Sequence, residues 1–373
     1  MPDAIWGSMN SHSANIVELP GWRRHAARYT IPGWRVRTGR YTLAEGFSEN
    51  LPMTFMAMEQ HCGTVLDPFA GAGTTLLAAA RSGWAGAGVE MMPLGRFLVD
   101  SYTALDSLGY EADAALAGMP EALEGIRDPT EMLFAAMHHA SQAGNEDARL
   151  ACAFATLCAL DVLRRQEPLT VELRATPVEA MEEVCERLGQ LAVDAYAGIA
   201  ESKMLEGDCR TALRRMPENK FDMVVTSPPF FGRWDGGIEY AVEHEVVALA
   251  GDSGCYDGTR GLRPALRWRD DGMGAEIVAR LGVEEPSWEL MQHCRMLGWL
   301  MATSAGVLEK NGILHMVIEN PILEGRRRAL DEAACACAAS AGFGVELITR
   351  LPSYKEIMGG TSIRSVSVVS MRL

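Results

Sequence analysis

The sequence predicts an α/β protein: a mainly parallel sheet with an antiparallel C-terminal strand, plus an α-helical insertion. Three observations predict it. Short apolar runs alternate with helix-patterned runs at 64–90 and again at 203–226, and parallel strands need such crossovers. Between these stretches, residues 109–203 carry apolar side chains at helical spacing. Residues 344–373 hold two strand-like runs, GVELITRLP and SIRSVSVVSMRL, joined by a Gly-containing loop, as in an antiparallel pair.

The elements follow in order. Residues 1–50 show no clear period and form an arginine- and aromatic-rich N-terminal arm. LPMTFMAMEQHC (51–62) is expected as a short helix, and Thr64-Val65-Leu66 as a small buried strand. TTLLAAAR (74–81) is a helix stopped by Ser82-Gly83. Gly86 to Val89 is a second strand ending at Glu90. The acidic insertion, 109–203, should be several helices broken near Pro120, Asp128-Pro129, Gly144 and Pro168. MLEGD, TALRRM and FDMVVTSPPF restart the strand–helix–strand series. Residues 231–285, rich in Gly, Arg, Asp and Trp, read as a long loop, a lid or recognition region with little regular structure, apart from an acidic-apolar helix start at EHEVVALAG (243–251). Helices at 286–309 and 326–340 flank a buried strand, ILHMVIE (313–319). The main α/β domain is then discontinuous, 51–108 and 204–373.

Composition narrows the class. Hydrophobic residues make up 48% and charged residues 22% of 373, which excludes wholesale disorder. No run approaches the ~18 apolar residues that a membrane helix needs, and the first twenty residues lack a secretory pattern. The nine cysteines form no CxxC pair and no Cys/His cluster at zinc spacing. A reduced, cytoplasmic protein without a structural metal is expected. Met-rich stretches and His138, His139 and His315 fit core or surface packing.

Two motifs carry chemistry, and a third supports them. In VLDPFAGAGTT (65–75) a strand delivers Asp67, and the chain turns through Gly71 and Gly73 into a helix N-terminus. Glycines let a ligand approach the backbone, and free N–H groups face it. Glu90 closes the next strand and can accept both hydroxyls of a ribose. No Lys-Ser/Thr follows the glycines, so this is not a phosphate loop. A carboxylate ahead of them suits a cationic amino-acid group. Gly207-Asp208 at a strand end is a weaker signal; Asp208 could accept from an adenine amino group. The third segment is Thr226-Ser227-Pro228-Pro229-Phe230, a strand ending in a rigid turn. Ser227 Oγ and the Pro228 carbonyl can accept from a planar amino group, and Phe230 can stack on its ring. Phe231 or Trp234 could assist, although a lone loop aromatic is more often a structural anchor.

DPFAGAGTT, Glu90, Gly207-Asp208 and TSPPF together resemble the S-adenosylmethionine-dependent methyltransferases that modify exocyclic amines of DNA bases. The resemblance spans about 41–95 and 203–373. It implies a Rossmann-like class I methyltransferase fold. It implies S-adenosyl-L-methionine as cofactor, with Asp67, Pro68, Phe69, Gly71, Gly73, Thr74 and Glu90 lining it and Asp208 near its adenine. It implies that Ser227, Pro228, Pro229 and Phe230 receive the base. Ser at the first catalytic position resembles the cytosine-N4 enzymes; Asp or Asn is typical of adenine-N6 and of RNA guanine-N2 enzymes. Two features depart from the family: many N4 enzymes place the two motifs in the opposite order, and the insertion does not sit where a recognition domain usually does. A catalytically idle scaffold that keeps the fold is the alternative of another class.

The net charge of −15 argues at first against a nucleic-acid partner. However, residues 109–203 hold 17 Asp+Glu against 7 Lys+Arg, so the insertion supplies most of that excess. Trp22–Tyr41 has six arginines, and Gly258–Arg269 has four, with no acid in either. Arg233, Arg263 and Arg267 are therefore candidate contacts for DNA, with RNA the alternative. The acidic helices would face solvent, a protein partner or the arginine-rich arm.

Overall fold

A computed structural model describes residues 36–37, 40–41, 47–107, 110–165, 176–195, 197–218, 220–232, 240–251, 268, 272–351 and 365–373. Strands β1 (Val36–Arg37) and β2 (Arg40–Tyr41) form a small antiparallel hairpin. Then come α1 (Asn50–Met58), β3 (Thr64–Asp67), α2 (Thr74–Arg81), β4 (Ala85–Glu90) and α3 (Pro93–Asp106). Four helices make the insertion: α4 (Tyr110–Ala122), α5 (Pro129–Ser141), α6 (Glu146–Arg165) and α7 (Pro177–Ala195). The series resumes with β5 (Lys203–Glu206), α8 (Cys209–Leu213), β6 (Phe221–Thr226) and α9 (Ala241–Leu249). It closes with α10 (Met273–Leu281), α11 (Trp288–Val307), β7 (Leu308–Glu319), β8 (Ile322–Leu323), β9 (Arg326–Arg327), α12 (Leu330–Cys337), β10 (Gly344–Leu351) and β11 (Val366–Arg372).

Seven strands form one sheet in the order β10-β11-β7-β6-β3-β4-β5. From β7 to β5 all neighbours are parallel, and β11 runs antiparallel to both β7 and β10. The predicted sheet, including its antiparallel C-terminal strand, is therefore present. Strand order reverses between β3 and β6, the place where doubly wound sheets bind ligands.

Alternate residues of the central strands enter opposite apolar layers, as period-2 geometry requires. Leu66, Val224 and Leu314 pack towards α10, α11 and α12. Val65, Met223, Val225 and Val317 pack on the other face with Leu51 and Met56 of α1. The ends of β3 and β6 are tied by side chains: at the amino edge Thr64 N donates to Asp222 Oδ2 at 2.7 Å.

The insertion is not an appendage. Its Met119, Ala136, Phe154 and Met181 share one apolar cluster with Leu76 of α2 and Phe97 and Tyr102 of α3. Tyr102 meets Phe154 edge to face at 5.4 Å. Local caps support these helices. Asp128 accepts from Thr130 N and Glu131 N at the start of α5. Thr176 and Glu179 form a reciprocal capping box at α7.

Four expectations need correction. The segment 231–285 contains two helices, α9, which includes the expected helix start at EHEVVALAG, and α10, which the loop reading did not include; their apolar faces are buried. Pro120 does not break α4, which runs on to Ala122. The expected stop at Lys310-Asn311-Gly312 lies inside β7, where Asn311 takes a φ of 69° and the register with β6 shifts. Residues 326–327 are strand, so the helix begins only at Leu330. The expected break at Pro168 and most of the N-terminal arm lie outside the described residues.

Candidate active site

The carboxyl ends of β3, β4 and β6 place three turns side by side. After β3, the backbone turns at Gly71 and Gly73, whose φ angles are 51° and 76°. Gly73 precedes α2 directly, and a Cβ there would stand 2.4 Å from Val99 Cγ2. Gly95 is needed for a different reason: a Cβ on it would lie 2.4 Å from the Gly71 carbonyl oxygen and 2.5 Å from Glu90 Cγ. The start of α3 is thus pressed against the turn.

Glu90 organises this turn. Gly71 N donates to its Oε2 at 2.8 Å, and Met91 N and Met92 N donate to its Oε1 at 2.8 Å. Burial pushes its pKa up, and these three N–H donors pull it partly back. Oε2 keeps acceptor capacity for a further donor, whereas the two N–H groups on Oε1 use both of its lone pairs.

The residues of the first motif divide by exposure. Phe69, Gly71 and Thr74 are half-buried and border the turn, whereas Pro68 and Gly73 are buried. Asp67 is also buried, at 1% exposure, and its oxygens are engaged within the protein. Thr75 Oγ1 donates to Oδ2 at 2.6 Å; Thr226 Oγ1 and Phe69 N donate to Oδ1 at 2.7 and 3.1 Å. Burial pushes the Asp67 pKa up to about 6, against the pull of those donors. The sequence suggested that Asp67 would meet a ligand. Here it joins the glycine turn to the end of β6. Thr75 and Thr226 were not singled out in the sequence; the second Thr of Gly-Thr-Thr was the available signal.

Past Thr226, Ser227 and Pro229 are half-buried and Pro228 is buried. Of the two phenylalanines, the one expected to stack on a ligand is the more deeply buried. Phe230, expected to stack on a ligand, is only 2% exposed and packs in the cluster of Phe47, Leu51 and Val317. Phe231 is half-buried and meets the buried His293 ring of α11 edge to face at 5.9 Å. Burial pushes His293 down to about 4, so the ring is neutral at pH 7.

Asp208 caps α8 and accepts from the Arg210 backbone at 2.8 Å and from Arg210 Nε at 2.9 Å; Arg210 Nη2 also donates to it. Partial burial would raise its pKa, but Arg210 outweighs this and holds it below the ordinary value. The same guanidinium lies 5.0 Å above Trp268, which tilts against Trp299 at 4.8 Å. Trp268 N donates to Gln292 Oε1 at 2.8 Å. Asp208 is therefore half of an ion pair, a feature its Gly-Asp setting did not reveal.

Arg233, Trp234, Arg263 and Arg267 lie outside the described residues. Among the described residues no group of His, Cys, Asp or Glu could hold a metal, and the cysteines are free thiols. No helix among them is long and apolar enough to cross a membrane.

The strand order, the switch point and the glycine turn define a Rossmann-like, doubly wound α/β fold. No family model matches the chain. A 46-residue stretch, 12% of the chain, is 48% identical to the type II methyltransferase M.XycI of Xanthomonas campestris pv. cyanopsidis. The chain spans only 15% of the length of that curated relative. Solved structures that align with the chain at low similarity include a putative transferase of Pyrococcus horikoshii, at 10% identity and a TM-score of 0.30, covering 87% of this chain and 62% of that one. The glycopeptide N-methyltransferase MtfA with S-adenosylhomocysteine is 12% identical at a TM-score of 0.31, over 96% and 99% of the two chains.

Proposed function

We propose that the chain is an S-adenosyl-L-methionine-dependent methyltransferase acting on an exocyclic amine of a DNA base, cytosine N4 by preference. One observation carries the reading: Ser227-Pro228-Pro229 leaves β6 beside the glycine turn of β3, and Asp67–Thr226 bonds the two together. A cofactor turn and an amine-accepting turn thus share one cleft.

The residues suit that cofactor. Gly71 itself carries no side chain, and Glu90 Oε2 retains acceptor capacity for a ribose hydroxyl. Asp208 would meet the adenine with whatever lone pairs Arg210 leaves. When bound, the sulfonium supplies an electrophilic methyl group. The chain's own part is positioning. Ser227 Oγ and the Pro228 carbonyl hold the amine and support the positive charge that develops on nitrogen. Phe231, with its half-exposed ring, takes the stacking role in place of Phe230. A duplex base must leave the stack to arrive there.

The test is methyl transfer to DNA and RNA oligonucleotides, read by nuclease digestion and mass spectrometry. N4-methylcytosine is expected. N6-methyladenine or N2-methylguanine would move the target base, and cofactor binding with no transfer would favour the idle scaffold. Ser227→Ala should lower the rate by about 100-fold with cofactor affinity kept; full activity in that variant would overturn the assignment.

A further inference from the structure

The hairpin that follows β7 has no part in the cleft described above, yet it is built with care. Ile322 pairs with Arg327 and Leu323 with Arg326, leaving Glu324-Gly325 as a two-residue turn. Both turn residues have positive φ, 53° and 71°, the geometry that matches strand twist in tight hairpins. That conformation is unfavourable for a glutamate and persists only where the surroundings impose it. Arg328 imposes it here. Its Nη2 donates to Glu324 Oε2 at 2.6 Å, its Nη1 to the Leu281 and Gly282 carbonyls, and its backbone N to the Pro321 carbonyl.

The base of the hairpin is equally fixed. Asn320 Nδ2 donates to Asp331 Oδ2 at 2.8 Å, and Asp331 N donates back to Asn320 Oδ1 at 3.0 Å. Ser367 Oγ also donates to Asp331 Oδ2, at 2.7 Å, and all three residues are buried. The hairpin therefore projects as a rigid element. β7 is parallel to β6 with Met316 opposite Thr226, and it continues to Glu319. The hairpin thus starts just beyond the sheet edge from which Ser227 emerges. Its outer side chains are Ile322, 52% exposed, and the exposed Arg326 and Arg327.

We propose that this hairpin is a contact element for duplex DNA, an inference that rests on the methyltransferase reading. Arg326 and Arg327 neutralise phosphates flanking the target base. Ile322, opposite Arg327, leans on the neighbouring base step, as apolar wedges do in distorted duplexes. A rigid hairpin suits this task because little ordering entropy is lost on binding.

The test uses the full chain and a labelled duplex, with fluorescence anisotropy across a salt series. The double variant Arg326→Ala, Arg327→Ala should bind at least about tenfold more weakly at moderate salt. Its slope of log affinity against log salt should fall by about 2, since each phosphate contact contributes close to 0.9. Ile322→Ser should keep the slope and reduce the fluorescence of a 2-aminopurine placed at the target position. Unchanged affinity and slope in the double variant, with a wild type that binds and methylates DNA, would overturn the hairpin proposal alone. A wild type that neither binds nor methylates nucleic acid would overturn the underlying reading with it.

Discussion

Thr226 donates its hydroxyl to Asp67 at 2.7 Å, although 159 positions separate them in the chain. The bond joins the last residue of β6 to the last residue of β3, and both are buried. Thr64 and Asp222 make the equivalent tie at the opposite edge of the same strand pair. The two turns of the cleft are thus held at a set separation by a carboxylate with no surface role.

Thr226→Val keeps the shape of the side chain and removes the donor. It leaves Asp67 Oδ1 with one partner, Phe69 N. A buried acceptor losing a bond costs about 1–3 kcal/mol, measurable as a lower denaturant midpoint at constant slope. If the two turns work together, kcat falls while the cofactor Kd changes little. An unchanged kcat at reduced stability would reduce the bond to a structural role.

The raised pKa of Asp67 has a consequence for stability. Its folded value, about 6, lies above its ordinary 3.8, so the folded state binds the proton more tightly. The associated stabilisation is full below about pH 4 and is lost as pH rises through 6. Its size is on the order of 3 kcal/mol, from roughly 1.4 kcal/mol per pKa unit. Asp67→Asn should flatten the stability profile between those pH values. A variant whose profile keeps the wild-type slope there would exclude Asp67 as the titrating group.

Phe230 and Phe231 should separate cleanly on substitution. Phe230→Ala opens a cavity in a fully packed layer, worth about 3–5 kcal/mol, and should lower Tm markedly. Phe231→Ala removes a half-exposed ring and should leave Tm nearly unchanged while raising KM for the nucleic acid. The reverse pattern, a stable Phe230→Ala protein with a raised KM, would restore Phe230 to the stacking role.

Much of the fold was legible in the sequence. The strand–turn–helix series and the antiparallel end follow from local pattern, because the central strands declare their burial by composition. The cleft was legible only in its main chain. Which phenylalanine faces outward depends on Phe47, Leu51 and Val317, which come from distant segments. That Asp208 is paired depends on an arginine two positions on, whose side chain could equally have turned to solvent. Of the two helices in 231–285 only the start of α9 was legible, and α10 was missed, because nine-residue helices among glycines leave little period to read. Their burial comes from elements far away in the chain.

The packing of the insertion has an implication for how this protein could be shortened. Tyr240, Val246, Val247 and Ala250, on and beside the helix that follows the Ser-Pro-Pro turn, lie in the same apolar layer as Phe154 and Met137 of the insertion. Excising residues 110–195 would uncover that layer on two sides at once. The chain should melt in one step, and protease-trimmed fragments lacking those helices should retain neither solubility nor an ordered cleft.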